Sequence, residues 1–379
     1  MPLDSFLAWM RDDALPVWLQ AGFDVERGLF YEKLHLDGRP DRAAAMRTRT
    51  QVRQIYTYSH AALLGFTPID LSLATAKRTA ERLRRLAWAP DGKPGWVHRL
   101  NADGSVADDR RDLYDHAFIL LGFTWLARAT GEARYADWVE ETLDYIDRHL
   151  TSFDEGWKES DRNELPRRQN PHMHLLEASL ALYETTGETR HLNRADAIVA
   201  LFHRHFFDAG AGVLREFFGP AWELDARFEP HRLEAGHHME WVWLLRRHSH
   251  HRDYDADEIC ERLFLSARRI GLDAASGFLV DESDESGRLL VAQRRLWPQT
   301  EYLRTLIEQA STLCDPALMT EAYDLADRLM ATYLAATPRG TWRDRFDLSG
   351  QLSTDHIPGS TLYHLFTAAV AAHQFLQRL

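Results

Sequence analysis

The sequence predicts an all-α fold, an (α/α)6 barrel in which six helical hairpins close into a toroid, with short β hairpins on the face where the inner helices begin. Three observations predict it. Six short extended pieces each open at a glycine, namely Gly28-Leu-Phe-Tyr-Glu, Gly95-Trp-Val-His, Gly156-Trp-Lys-Glu, Gly212-Val-Leu-Arg-Glu, Gly277-Phe-Leu-Val-Asp and Gly340-Thr-Trp-Arg-Asp, at intervals of 67, 61, 56, 65 and 63 residues. Two helical patterns lie between consecutive glycines. The patterns fall into two classes: some, such as Ala117-Phe-Ile-Leu-Leu-Gly-Phe-Thr-Trp-Leu-Ala, are apolar almost all round, whereas others, such as Ala76-Lys-Arg-Thr-Ala-Glu-Arg-Leu-Arg-Arg-Leu, are polar on one side. A period of this size marks a unit that cannot bury its own apolar face and must stack on copies of itself.

In chain order, the first helical pattern covers residues 3 to 21. Those that follow cover 48 to 64 and 70 to 88 after Gly28, 111 to 130 and 133 to 150 after Gly95, and 171 to 187 and 189 to 206 after Gly156. After Gly212 come 237 to 249 and 255 to 270, and after Gly277 come 299 to 314 and 316 to 335. Only one helix, 360 to 378, follows Gly340, so the N-terminal helix supplies its missing partner and the ring closes. An open α-solenoid is the alternative. No Pro/Gly/Ser-rich spacer divides the 379 residues, so residues 1–379 are read as one catalytic domain.

A formal net charge of −12 disfavours a polyanionic partner such as nucleic acid. The absence of a signal peptide and of a long apolar run argues against membrane insertion and places the chain in the cytoplasm. Two cysteines, Cys260 and Cys314, lie in amphipathic helical patterns where small buried thiols are common, in keeping with a reducing compartment. The expected assembly is a monomer or homodimer.

Each inner helix begins with polar residues where a core helix should have none. These are Arg49, Gln51, Arg53 and Tyr56; Asp112, Tyr114, Asp115 and His116; Asn170, His174 and Glu177; His237 and Glu240; Trp297, Gln299 and Glu301; and Tyr363 and His364. From Arg53 to His116, His174, His237, Glu301 and His364 the steps are 63, 58, 63, 64 and 63, which match the repeat. In a toroid that period carries all six to one height around a central cavity, the form of a small-molecule site. A buried ring of such residues costs stability unless it is hydrogen-bonded, so function explains it better than structure.

The run Gly236-His-His-Met-Glu-Trp places His237 and Glu240 on one face of a helix and turns His238 elsewhere. A carboxylate beside an imidazole fixes its tautomer and raises its pKa, which suits proton transfer. Metal is not expected: His172 and His174 diverge in the first turn of a helix, no His-Glu-x-x-His or Cys-x-x-Cys is present, and Arg246 to His251 complement a helix C-terminus. A glycine-rich phosphate cradle is likewise missing.

These stretches resemble the N-acylglucosamine 2-epimerase superfamily. The resemblance rests on Arg49-Thr-Gln-Val-Arg53-Gln-Ile-Tyr56, Leu113-Tyr-Asp-His-Ala-Phe118, Asn170-Pro-His-Met-His174-Leu-Leu-Glu177, Gly236-His237-His-Met-Glu240-Trp241, Leu296-Trp297-Pro-Gln-Thr-Glu301 and Ser360-Thr-Leu-Tyr363-His364. It implies an (α/α)6 barrel that opens an aldose ring, removes the proton next to the carbonyl and returns it with neither metal nor nicotinamide. In the family, residues matching His237 and His364 form the acid/base pair, and the one matching Arg53 holds oxygens where charge develops. His174, Glu240 and Trp297 fall where the family places further substrate-contacting side chains. The inner-helix pattern adds Tyr114, His116 and Glu301 to the substrate-binding set, and His116 stands where many relatives carry a glutamine.

Elementary chemistry agrees, because abstracting a carbon-bound proton beside a carbonyl needs a base near neutrality and a second group that neutralises the enediolate oxygen. The expected activity is a cofactor-independent isomerisation of D-mannose to D-fructose through a cis-enediol. The alternatives are a sugar 2-epimerase, an (α/α)6 glycoside hydrolase using two of Asp115, Glu240 and Glu301, and a non-catalytic carbohydrate-binding toroid.

Overall fold

The computed structural model describes residues 1–378. Among them the inner helices are Thr48–Leu63, Leu113–Thr130, Gln169–Thr186, Ala235–Arg252, Leu296–Leu313 and Thr361–Leu376. Each of the first five is followed by an outer helix: Ile69–Ala87, Ala133–Tyr145, Thr189–Leu201, Asp257–Gly271 and Pro316–Thr332. The second and third outer helices run on into π turns at Ile146–Leu150 and Phe202–Phe206. The sixth outer helix is the N-terminal one, Pro2–Trp9 and Leu15–Gln20 joined by a π turn at Met10–Ala14. It packs on Pro316–Thr332 and on Thr361–Leu376, and the last inner helix packs on the first. The ring is therefore closed, and the open solenoid is excluded.

Local chemistry sets these boundaries. Asp112 caps the second inner helix by accepting the Asp115 N–H, and Gly131 and Gly187 end the second and third in the left-handed conformation at φ +68° and +72°. Inner helices are buried on nearly every side, as at Leu113, Ala117 to Thr124 and Leu126, whereas outer helices bury one stripe, such as Ala76, Ala80, Leu83 and Ala87. Cys260 is buried as expected, but Cys314 caps a helix at φ 54° and is exposed. No helix among the described residues is long and apolar enough to cross a membrane.

The short β pieces form a second ring on one face. The segment just before each inner helix pairs with the segment a few residues past the next repeat glycine. Strand Met46–Arg47 pairs with Arg99–Leu100, Arg167–Arg168 with Phe217–Phe218, Gln293–Arg295 with Arg345–Asp347, and Asp112 and Leu233 bridge to Ser160 and Ser283. His356–Pro358 closes the circle on Lys33–His35. All six repeat glycines have φ between +67° and +97°, the region that only glycine enters without a steric cost. At Gly28, Gly212 and Gly277 this conformation ends a turn whose leading Asp24, Asp208 or Asp273 side chain accepts backbone N–H groups within the turn.

Gly340 carries the tightest of these constraints, because a Cβ there would stand 2.4 Å from the Asp13 carbonyl oxygen of the N-terminal helix. Gly340→Ala is expected to lower unfolding stability by about 3 kcal/mol, against about 1 kcal/mol for Gly65→Ala. Gly65 also has positive φ, but nothing lies within 4 Å of its added Cβ. Urea denaturation of the two variants checks this; equal midpoints would show that the contact with Asp13 does not lock the ring.

Candidate active site

The inner helices are fixed in height by one recurring hydrogen bond. A backbone N–H just past each of the first five repeat glycines donates to a buried side chain on the adjoining inner helix. Phe30 donates to Gln51, Trp96 to His116, Trp157 to His172, Leu214 to His238 and Leu279 to Gln299, at 2.7 to 3.2 Å. In the three histidines Nδ1 donates to the carbonyl four residues back, that of Asp112, Arg168 or Glu234, which leaves Nε2 as the acceptor. Burial pushes all three down, to about 4, 3 and 4, so they stay neutral.

This bond corrects the phase read from the sequence. From Gln51 through His116, His172 and His238 to Gln299 the steps are 65, 56, 66 and 61, and the same steps from Arg53 land on Phe118, His174, Glu240 and Glu301. The structure thus places His116 outside the cavity. It is fully buried, committed to backbone at both nitrogens, and Phe118 takes the inward position instead.

The inward residues line a cavity of about 220 Å³ at the β-ring end of the barrel. Its walls include Arg53, Tyr114, His174, His237, Glu240, Trp297 and His364, all expected from sequence. The indole of Trp297 lies between the two key histidines, with ring centroids 5.1 Å from His237 and 5.4 Å from His364. It rests on Gly236, where a Cβ would come within 2.6 Å of the indole. Arg53 donates to the Tyr114 hydroxyl at 2.9 Å and lies 4.2 Å over the Phe118 ring, so its guanidinium is held in place with its charge toward the cavity.

The two histidines sit in opposite electrostatic surroundings. Burial alone would lower His237, but the carboxylates of Glu216, Glu234 and Glu240 overturn this and hold it up at about 10. Its Nδ1 donates to Glu216 at 3.0 Å, and its Nε2 lies 3.0 Å from the Asn170 amide. The Asn170 Oδ1, buried and otherwise without a partner, is the amide atom that suits a protonated Nε2. His364 is held well below its usual range by burial and by the Arg53 guanidinium. Its Nδ1 is 2.6 Å from Glu301, whose own carboxyl is raised to about 7 by burial, with Arg304 opposing. Glu240 is raised well above the carboxylate range by burial and by Glu301, so it faces the cavity as a neutral acid. Beneath them His174 shares the Glu177 carboxylate with the Tyr363 hydroxyl.

Two expectations change here. Glu301 does not reach the cavity; it is fully buried and supports His364 from behind. The carboxylate partner of His237 is Glu216, rather than Glu240 on its own helix. Glu216, Glu234, Arg295 and Ser360 join the site from outside the predicted set. Glu216 had a legible signal, since an acid stands three or four residues after five of the six repeat glycines: Glu32, Glu159, Glu216, Asp281 and Asp344. Two groups, Glu216 with Glu234 and His237, and Glu240 with Glu301 and His364, have the composition of a metal site, with ligand atoms within 4.8 Å of one another. In each, the imidazole Nδ1 is already hydrogen-bonded to a carboxylate, the arrangement of a proton-transfer dyad.

Comparison with known proteins places this site in context. The sequence profile of the N-acylglucosamine 2-epimerase (GlcNAc 2-epimerase) family matches residues 28–368. The chain is 34% identical to a mannose-6-phosphate isomerase of Rhizobium meliloti (strain 1021) over 98% of its length and 96% of the relative's. It is 29% identical to a D-mannose isomerase of Thermobifida fusca over 67% of this chain and 66% of that one. The solved structure of cellobiose 2-epimerase from Spirochaeta thermophila DSM 6192 superposes with a TM-score of 0.87 at 21% identity, covering 99% of this chain and 96% of that one, which establishes the shared fold.

His116→Gln is expected to leave turnover and thermal stability close to the parent, because a glutamine already makes the equivalent bond at Gln51 and Gln299. His116→Ala, which orphans the buried Trp96 N–H, is expected to cost about 1–3 kcal/mol. Denaturation and steady-state kinetics on both variants test the assignment; a changed substrate preference in the glutamine variant would return His116 to the site.

Proposed function

This chain belongs to the N-acylglucosamine 2-epimerase family of sugar isomerases and epimerases, and on that premise we propose that it interconverts D-mannose and D-fructose as an aldose–ketose isomerase. The observation that carries the reading is the pair of imidazoles facing one sugar-sized cavity across Trp297, one among carboxylates and the other beside a guanidinium. With Glu301 ionised and holding the Nδ1–H, His364 presents a free Nε2 lone pair and takes the proton from C2 of the open-chain aldose. His237, an imidazolium held by Glu216, gives a proton to the carbonyl oxygen O1, and a cis-enediol results. His364 then returns its proton to C1 while O2 gives its proton back to His237, and the ketose is formed. Arg53 stabilises the developing oxygen charge, and the neutral carboxyl of Glu240 donates a hydrogen bond to a sugar oxygen.

A free sugar fits better than its 6-phosphate. The arginines carried by the segments before the inner helices are mostly matched, Arg47 by Glu32, Arg110 by Glu164, Arg168 by Glu159, and Arg295 by Asp281 and Glu234, while Arg49 stacks on Tyr114 with Asp115 3.5 Å away. A phosphate dianion would have to break such pairs to find a partner. The hydrolase alternative is disfavoured because Glu301 lies fully buried against His364, and the two carboxylates that line the cavity among the described residues, Glu234 and Glu240, come from one helix and its N-cap rather than from opposite walls.

Incubation of the enzyme with D-mannose in heavy water, followed by NMR, is expected to give fructose; glucose without fructose would defeat the isomerase in favour of the epimerase. His237→Asn and His364→Asn should each lower kcat by about 10²–10⁴-fold with unchanged circular dichroism. Activity should rise with pH through about 7, as Glu301 ionises, and fall through about 10, as His237 loses its proton. A profile that is flat between those values and beyond them would contradict the assigned roles. D-mannose should exceed D-mannose 6-phosphate in kcat/KM by about 100-fold, the two being compared at one ionic strength; a preference for the ester would overturn the charge argument.

A further inference from the structure

The barrel has a second and larger cavity, of about 780 Å³, at the end remote from the catalytic histidines. It is lined by the C-terminal halves of all six inner helices, and only two of its residues bear on the chemistry above: Glu177, which holds His174 from below, and Arg304, which opposes the upward shift of Glu301. Its lining carries four guanidinium groups, those of Arg128, Arg247, Arg304 and Arg378, against three carboxylates, those of Glu177, Glu184 and Glu308, although the chain as a whole has a net charge of −12.

Not all of these cations are paired. Arg247 is spent on a bidentate bond to Glu184. Arg304 sits mid-helix and lies 3.4 Å over the ring of Trp243; its nearest carboxylate, Glu301, is 3.9 Å away, and its buried Nη1 has no hydrogen-bond partner. Arg128 makes no hydrogen bond or ion pair among the described residues and rests on the Trp125 ring at 4.9 Å. A last-turn position at a helix C-terminus accounts for Arg128 through the helix dipole. It does not account for Arg304, which lies well before Leu313, the end of its helix. His60, inside the same cavity, is lowered to about 3 by burial together with Arg128, Arg247, Arg304 and His373, which reports a positive field at that point.

The aromatic faces decide what kind of ligand fits. A sugar needs an open indole or phenol face to lie on. Here Trp243 is covered by Arg304, and Trp125 is covered by His60, stacked at 3.7 Å, and by Arg128. Besides the single carboxylate of Glu308 and neutral side chains such as Thr312 and Gln374, the polar positions that remain are the edges of guanidinium groups, which recognise phosphate and carboxylate oxygens. We propose that this cavity is a second binding site, for a small multiply charged anion carrying phosphate or carboxylate groups, held by Arg128 and Arg304.

The test is calorimetric titration of the full chain with inorganic pyrophosphate and, separately, with citrate, with no sugar present, so that the outcome does not depend on the isomerase reading. Saturable binding of either probe, weakened by potassium chloride and reported by quenching of tryptophan fluorescence, is expected. Arg128→Gln should weaken it about tenfold and leave turnover of D-mannose unchanged, whereas Arg53→Gln should leave the anion affinity unaltered. Arg128→Glu, which reverses the charge at an exposed position, should abolish binding without threatening the fold. Absence of saturable binding by both probes, or binding lost in Arg53→Gln and retained in Arg128→Gln, would overturn the proposal.

Discussion

One hydrogen bond, repeated around the barrel, governs where everything else lies: a backbone N–H beyond a left-handed glycine donates to a buried Gln or His on the adjoining inner helix. The glycine sets the turn, the turn aims the N–H, and the acceptor fixes the helix along its axis. Because Gln51, His116, His172, His238 and Gln299 all answer to this constraint, the residues two positions further on come to one register, where Arg53, His174 and Glu240 line the cavity and Glu301 supports His364 from behind. The donors and acceptors are buried, so leaving one unpaired costs far more than an average surface contact contributes. The ring of short strand pairs adds lateral closure at the same end of the barrel, joining the last repeat to the first through His356–Pro358 and Lys33–His35.

On that frame the cavity sets two similar groups in contrasting surroundings. His237 and His364 are both buried, both have Nδ1 against a glutamate, and both touch the same indole. They differ in their further neighbours. His237 is surrounded by Glu216, Glu234 and Glu240, whereas His364 faces Arg53 and shares Glu301 with the field of Arg304. Carboxylates around one ring and guanidinium groups around the other separate their proton affinities, which is what an acid and a base acting on one substrate require. Trp297 keeps the two rings apart, and the missing side chain at Gly236 gives the indole its place.

Much of this was legible in the sequence. The six glycines announced the period, the alternation of apolar and one-sided helices announced inner and outer layers, and the polar residues at the inner helix starts announced a common cavity. Phase was harder to read. The repeats differ in length, so steps near 63 counted from Arg53 fell on His116 and His237, while the true register falls on Phe118 and Glu240. His116 and His174 look alike as residues; only the backbone N–H of Trp96 separates a structural imidazole from one that faces the site. Glu216 sits on a strand end 21 residues from His237, and that pairing depends on a tertiary contact rather than on helical spacing. Glu301 was recognised as part of the group, but its place behind His364 follows from burial that one chain position cannot reveal.

The central claim is the opposite charge of the two rings, and nitrogen-15 NMR of the imidazoles at pH 8, with His237→Asn and His364→Asn samples for assignment, tests it most directly. His237 is expected to show two protonated nitrogens and His364 a neutral ring with its proton on Nδ1. A neutral His237, or an imidazolium at His364, would contradict it.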